Sequence, residues 1–188
     1  RVSAIGMYAV AWGAGFLIGP FIGGIIAQLA GYQSTFFVAG VLILMAAGLS
    51  VATIRGEQTR HAGIEQAPAR PSWKVLLAVL PMLIVQVPYA IVLAFIVSIF
   101  PGYAVESGLT PSQVGLILSG FGFARTLVFS LSGRLGRMGE RRNIGFAFLG
   151  MIPVLFLISL NKSVIGLLVD SCLMGAFIGI IYPQTVAV

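Results

Sequence analysis

The sequence predicts an all-α, polytopic membrane protein, and three observations carry that expectation. Hydrophobic residues make up 59% of the chain and charged residues 9%, against about 25% charged in a soluble domain. A chain so composed cannot clothe its surface in polar groups. Its apolar residues fall into six stretches, each of a length suited to crossing a hydrocarbon core of about 30 Å as a helix of about 20 residues. Almost all the basic residues lie between those stretches rather than within them.

The first stretch, 3–29, belongs to a run without a single charge from Val2 to Ile54. Ala11, Gly15, Gly19, Gly23 and Ala27 recur every four residues, so a helix aligns them along nearly one line and leaves a seam without side-chain bulk. In lipid, such a seam lets a second helix approach to backbone contact. Pro20 has no N–H, so the Phe16 carbonyl loses its helical partner and a bend is expected there. The second stretch is 35–54. Residues 55–72 follow as a polar linker with Gly56, Gly63, Pro68, Pro71 and five charges, which marks a boundary between two units.

The third stretch, 73–100, contains Pro81 and Pro88, which free two carbonyls on one face. Such a helix either lines a cavity with unwound backbone, where Gln86 and Tyr89 offer substrate contacts, or only packs with a kink. The fourth, 111–131, carries Arg125. The fifth, 144–160, has no charge, and the sixth, 163–188, carries Asp170 and the triplet Tyr182-Pro183-Gln184.

Alternation from a cytoplasmic start puts Arg1, Arg55, Arg60, Arg70, Lys74, Arg134, Arg137, Arg141 and Arg142 on one side and Lys162 alone on the other. Nine of the 11 basic residues on one side orient the chain by the positive-inside rule. The basic connectors therefore serve topology and lipid headgroups, and the net charge of +6 does not point to nucleic acid. A single Cys172 and a single His61 exclude a disulfide framework and a Cys/His metal cluster within the chain. No stretch holds a histidine and no nucleophile motif is present, so an enzyme is not expected. The chain starts at Arg1 and stops within an apolar run at Val188, and is read as a piece of a longer protein.

One pattern in the first stretch is specific. Gly6, Gly15, Gly19, Pro20, Gly23 and Gly24 spell G-x8-G-x3-G-P-x2-G-G. All six fixed positions resemble the fifth-helix signature of the major facilitator superfamily, often called the antiporter motif. The resemblance implies six transmembrane helices of a twelve-helix major facilitator fold. Residues 1–54 become the last two helices of the N-terminal six-helix half, 55–72 the central cytoplasmic linker, and 73–188 the first four helices of the C-terminal half. A second family signature belongs between helices eight and nine: a glycine, a leucine, an Asp-Arg pair and a closing Gly-Arg-Arg. Gly133, Leu135, Arg141 and Arg142 fall in its register, whereas Arg137-Met138 replaces the Asp-Arg pair and Glu140 the glycine, with Gly139 one place early. Arg137 cannot accept a hydrogen bond, so the family's aspartate latch is absent or rebuilt around Glu140. The other reading is a purely topogenic basic loop.

The resemblance further implies a secondary active transporter working by alternating access, monomeric, without a bound cofactor and driven by the proton gradient. It would sit in the plasma (inner) membrane with both long basic loops cytoplasmic, its partners being a small-molecule substrate, protons and the lipid bilayer. The glycine signature resembles that of exporters of drugs and small amphipathic solutes. The alternative is a proton-linked importer of a small organic solute such as an organic acid or sugar, and a non-transporting membrane scaffold is a third reading. Ionisable groups within spans suggest function by default. Asp170 is a candidate for proton coupling, or else belongs to a wetted outer vestibule. Arg125 either snorkels to the inner headgroups or faces the cavity to meet an anion, carbonyls or a carboxylate, and helix rise sets it about 10 Å from Asp170 along the membrane normal. Filling the glycine seam with Gly19→Leu is expected to abolish transport.

Overall fold

The apolar run that opens the chain is too long for one crossing. In the computed structural model, which describes residues 2–54, 73–135 and 139–186, it forms α1, Val2–Ile54, of 53 residues. That is about 80 Å of helix against a core of about 30 Å. The run breaks once, at Gly31 (φ 82°, ψ 165°), a conformation that glycine adopts without penalty and other residues do not. The Ser34 hydroxyl donates to the Ala30 carbonyl at 2.8 Å, satisfying an acceptor at the end of the first arm. Thr35 Oγ1 reaches the Gly23 carbonyl at 3.5 Å, so the second arm leaves the break beside the first. Five helices long and apolar enough to cross a membrane lie among the described residues, and they overlap all six expected spans, the first overlapping two of them.

After the linker, α2 (Trp73–Ala94) runs into a single π-helical turn, Phe95–Ile99, and then α3 (Phe100–Glu106). Of the two readings of Pro81 and Pro88, the unwound backbone is not there: α2 stays helical through both. The irregular turn comes instead just before Pro101, which has no N–H to continue the α ladder. The Phe100 N–H bonds to the Phe95 carbonyl five residues back, an extra residue that absorbs the misfit. The chain continues as α4 (Pro111–Leu135), α5 (Glu140–Leu160) and α6 (Val164–Val186). α4 and α5 each extend beyond the expected spans, so Gly133 and Leu135 lie in the last turn of α4 and Arg141 and Arg142, both exposed, in the first turns of α5. Gly139 precedes α5 with φ +96°, which is why a glycine stands there. The linker at 55–72 and the connector residues 136–138 lie outside the described residues.

α4 is the centre of the bundle, held between α1 and α6. A Cβ on Gly24 would lie 2.5 Å from the Pro111 carbonyl, and Gly115 abuts the Pro20 carbonyl. Gly13 meets Thr126, so α1 and α4 run antiparallel. On the opposite face of α4, Gly175 of α6 abuts the Phe121 carbonyl and a Cβ on Gly179 would lie 2.9 Å from the Arg125 carbonyl, so α4 and α6 run parallel. α5 closes antiparallel on α6, with Phe177 against Gly150. Between these helices lies one apolar core: Ile96 and Phe100, Ile117 and Phe121, Met151 and Val154, and Met174 and Ile178. Outside it, Leu29, Phe36, Phe37, Leu160 and Ile165 are exposed. A belt of bare apolar side chains suits a lipid neighbour, and backbone satisfied within helices is what lipid demands.

Candidate buried-charge sites of the bundle

The tight contact of α1 with α4 does not follow the seam expected from Ala11, Gly15, Gly19, Gly23 and Ala27. It follows Gly13, Phe16, Pro20 and Gly24, roughly a third of a turn round the helix. Gly15 and Gly19 face open space within this chain, and Gly23 meets only Thr35. Gly6 lies in the opening turns of α1. The cause is Pro20. The Phe16 carbonyl, deprived of its helical donor, points outward, and a Cβ on Gly122 would lie 2.6 Å from it. Bare backbone on α4 therefore covers the bare acceptor on α1, a recurrent arrangement of Cα–H against carbonyl oxygen. Pro20, Gly23 and Gly24 also line a cavity of about 580 Å³ with Pro101, Pro111 and Glu106.

Arg125, in the middle of α4, does not snorkel. It is 2% exposed, the largest fully buried side chain among those described. Its Nη2 donates to Tyr89 Oη at 2.7 Å. Aromatic rings occupy much of the remaining surround: the guanidinium carbon lies 4.2 Å from the Trp12 ring centre, 5.2 Å from Phe129 and 5.4 Å from Phe16. Such cation–π contacts are worth up to about 2 kcal/mol each when desolvated. Tyr182 stacks on Tyr89 at 6.2 Å and tilts against Trp12 at 5.7 Å. Nε and Nη1 have no hydrogen-bond partner among the described residues. Beside this cage lies a cavity of about 500 Å³ lined by Trp12, Phe16, Gln86, Tyr89 and Tyr182, with Val97 and Ser98 of the π-helical turn. Gln86 and Tyr89 thus share one cavity wall, and Arg125 stands directly behind it.

Asp170 is equally buried, 3% exposed, rather than set in a wetted vestibule. It does not pair with Arg125. Asn161 Nδ2 donates to its Oδ2 at 2.5 Å. Asn161 belongs to the short α5–α6 connector, and its side chain crosses the first turn of α6 above Gly166, where a Cβ would lie 2.9 Å from it. Gly166 is thus the opening that lets the amide reach the carboxylate one turn further on. The Arg125 backbone lies level with Gly179, nine residues beyond Asp170, which sets the two backbone positions about 13 Å apart along the helix.

Several side chains and glycines that build these sites did not stand out in the sequence as site residues: Trp12, Phe16, Phe129, Asn161, Gly166 and Gly122. A signal was present for three of them. Phe16 follows Trp12, and Phe129 follows Arg125, by four residues, the spacing of neighbours on one helix face.

The chain matches the family model for the Major Facilitator Superfamily over residues 1–183. It is 27% identical over 177 residues to the multi-drug resistance efflux pump PmrA of Streptococcus pneumoniae serotype 4 (strain ATCC BAA-334 / TIGR4), and equally so to that of strain ATCC BAA-255 / R6. Each alignment covers 86% of this chain and 42% of the relative, so the chain spans less than half the length of the curated proteins it matches. No solved structure matches it. A match across nearly every described helix, on a bundle of apolar spans joined by glycine contacts, places this chain in the major facilitator superfamily as a multi-pass membrane protein.

Proposed function

We propose that this chain forms part of a secondary active transporter that works by alternating access and exports small amphipathic solutes in exchange for protons. The observation that carries this reading is the aromatic cavity of about 500 Å³ open between α1, α2 and α6, in a family member whose matching relatives are named efflux pumps. A cavity of that size, walled by rings with few polar groups, suits ligands recognised by apolar area and a small number of fixed contacts. Residues 1–54 serve as the last two helices of one six-helix half and 73–188 as the first four of the other, joined through 55–72 on the cytoplasmic side. The α1–α4 contact is then the seam between halves, and its backbone-on-backbone character lets the halves rock without interlocking side chains.

Asp170 is the carboxylate within this chain proposed to load and release the proton. Import of a small organic acid is the second reading, and Arg125 is the observation that favours it. Transport by the full-length protein in proteoliposomes separates the two. Outward-directed movement of an amphipathic dye, rising with the imposed pH gradient, supports export; gradient-driven accumulation of an organic acid with no dye movement refutes it. Asp170→Asn should lose gradient-driven flux and keep substrate exchange. Unchanged gradient-driven flux removes Asp170 from proton coupling.

A further inference from the structure

A guanidinium withdrawn from water needs a counter-charge or a full set of acceptors. Arg125 has neither among the described residues. Asp170 is engaged by Asn161, its backbone about 13 Å along α6 from the Arg125 level, and Glu106 is exposed on the rim of the other cavity. Two guanidinium nitrogens lack a hydrogen-bond partner among the described residues. The rings around them are shared: Trp12, Phe16 and Tyr89 touch Arg125 and also face the 500 Å³ cavity. The positive charge therefore lies one side-chain layer behind the cavity wall. Tyr89 Oη accepts from Arg125, so its own hydrogen is left for an acceptor, and a hydroxyl backed by a cation is a stronger donor. Rings alone would suit a cation. Here the cation they hold is the protein's own.

We propose that this cavity selects amphipathic solutes carrying an anionic group, a carboxylate foremost. The Tyr89 hydroxyl, backed by Arg125, holds the charge, while the apolar body lies against Trp12, Phe16 and Tyr182. A cationic amphipath meets like charge across a layer of low dielectric and is excluded. This inference rests on reading the cavity as a transport site.

The test uses the full-length protein in proteoliposomes and three probes built on one aromatic scaffold: a carboxylate, the neutral primary amide and a quaternary ammonium. The wild type is expected to take the carboxylate with a KM at least about tenfold below that of the ammonium, the scale of one charge-assisted hydrogen bond. Arg125→Met should reduce the carboxylate-to-amide preference by about tenfold, and Tyr89→Phe by about threefold. Equal handling of the three probes by the wild type, or preference for the ammonium, overturns the anion selectivity while the export reading stands. Transport of none of them brings down the export reading and this inference with it. Equal loss of all three probes in Arg125→Met makes Arg125 a structural charge and also overturns the proposal. If that variant fails to insert, the wild-type preference and Tyr89→Phe decide.

Discussion

Among the described residues two charges are buried in this bundle, and the protein treats them differently. Asp170 has a dedicated partner, an amide carried in by the α5–α6 connector across Gly166. Arg125 has one hydroxyl, three rings and two nitrogens with no partner among the described residues. A carboxylate that accepts from a fixed donor has part of its desolvation cost offset within the fold. A guanidinium surrounded by rings keeps most of that cost, and a protein retains such a charge where something else completes it. The contrast separates a group built into the scaffold from a group left open to a ligand.

The contrast can be broken most severely at what holds the two charges apart. Gly175 lies between the Asp170 and Arg125 levels of α6 and abuts the Phe121 carbonyl of α4. Gly175→Leu should cost about 3 kcal/mol or more by forcing the helices apart, seen as loss of folded full-length protein in detergent; a normal melt would refute the packing. Next comes the donor. Asn161→Leu leaves the Asp170 carboxylate buried without its amide and should lower stability by about 2 kcal/mol, measured by thermal unfolding in the same detergent. An unchanged melt would mean that Asp170 is reached by water.

The opposite sign is expected at the other charge. Arg125→Met combined with Tyr89→Phe removes the guanidinium together with the hydroxyl it would orphan, and should leave stability unchanged or raise it by about 1 kcal/mol. Marked destabilisation would show that Arg125 is paired within the full-length fold, and the contrast with Asp170 would collapse. The smallest effect concerns the glycine stripe. Gly19→Leu should change stability by no more than about 0.5 kcal/mol through contacts within this chain, whereas Gly115→Leu drives a side chain into the Pro20 carbonyl. A larger loss at Gly19 than at Gly115 would place a helix from outside this chain on the Gly15–Gly19 face.

Much of the fold was legible in the sequence because membrane insertion is decided locally. A window of about 20 apolar residues crosses lipid wherever it occurs, and each of the six expected spans overlaps a described helix. The antiporter-type glycine pattern was legible for the same reason, being contained in one helix. The face that meets α4 was not. Small residues show where a helix can approach, but which stripe is used depends on the partner, and here the outward carbonyl of Phe16 and the glycines of α4 drew the contact to Gly13, Pro20 and Gly24. Prolines left a similar choice open. Pro81 and Pro88 mark lost donors, yet the ladder gives way only at Phe95–Ile99, before Pro101.

The sequence by itself determined that the chain crosses a membrane repeatedly, where it crosses, and that Arg125 and Asp170 stand inside the crossings at different depths. These follow from partition of each residue between water and lipid, a property that accumulates along the chain without knowledge of the fold. Only the tertiary structure decided what each charge meets. Tyr89 lies 36 residues from Arg125 in the chain, and Trp12 reaches the same guanidinium from another helix altogether. Such partners are chosen by the packing of α1, α2 and α6 around α4, and packing is a property of pairs of helix faces, which no single stretch of sequence contains.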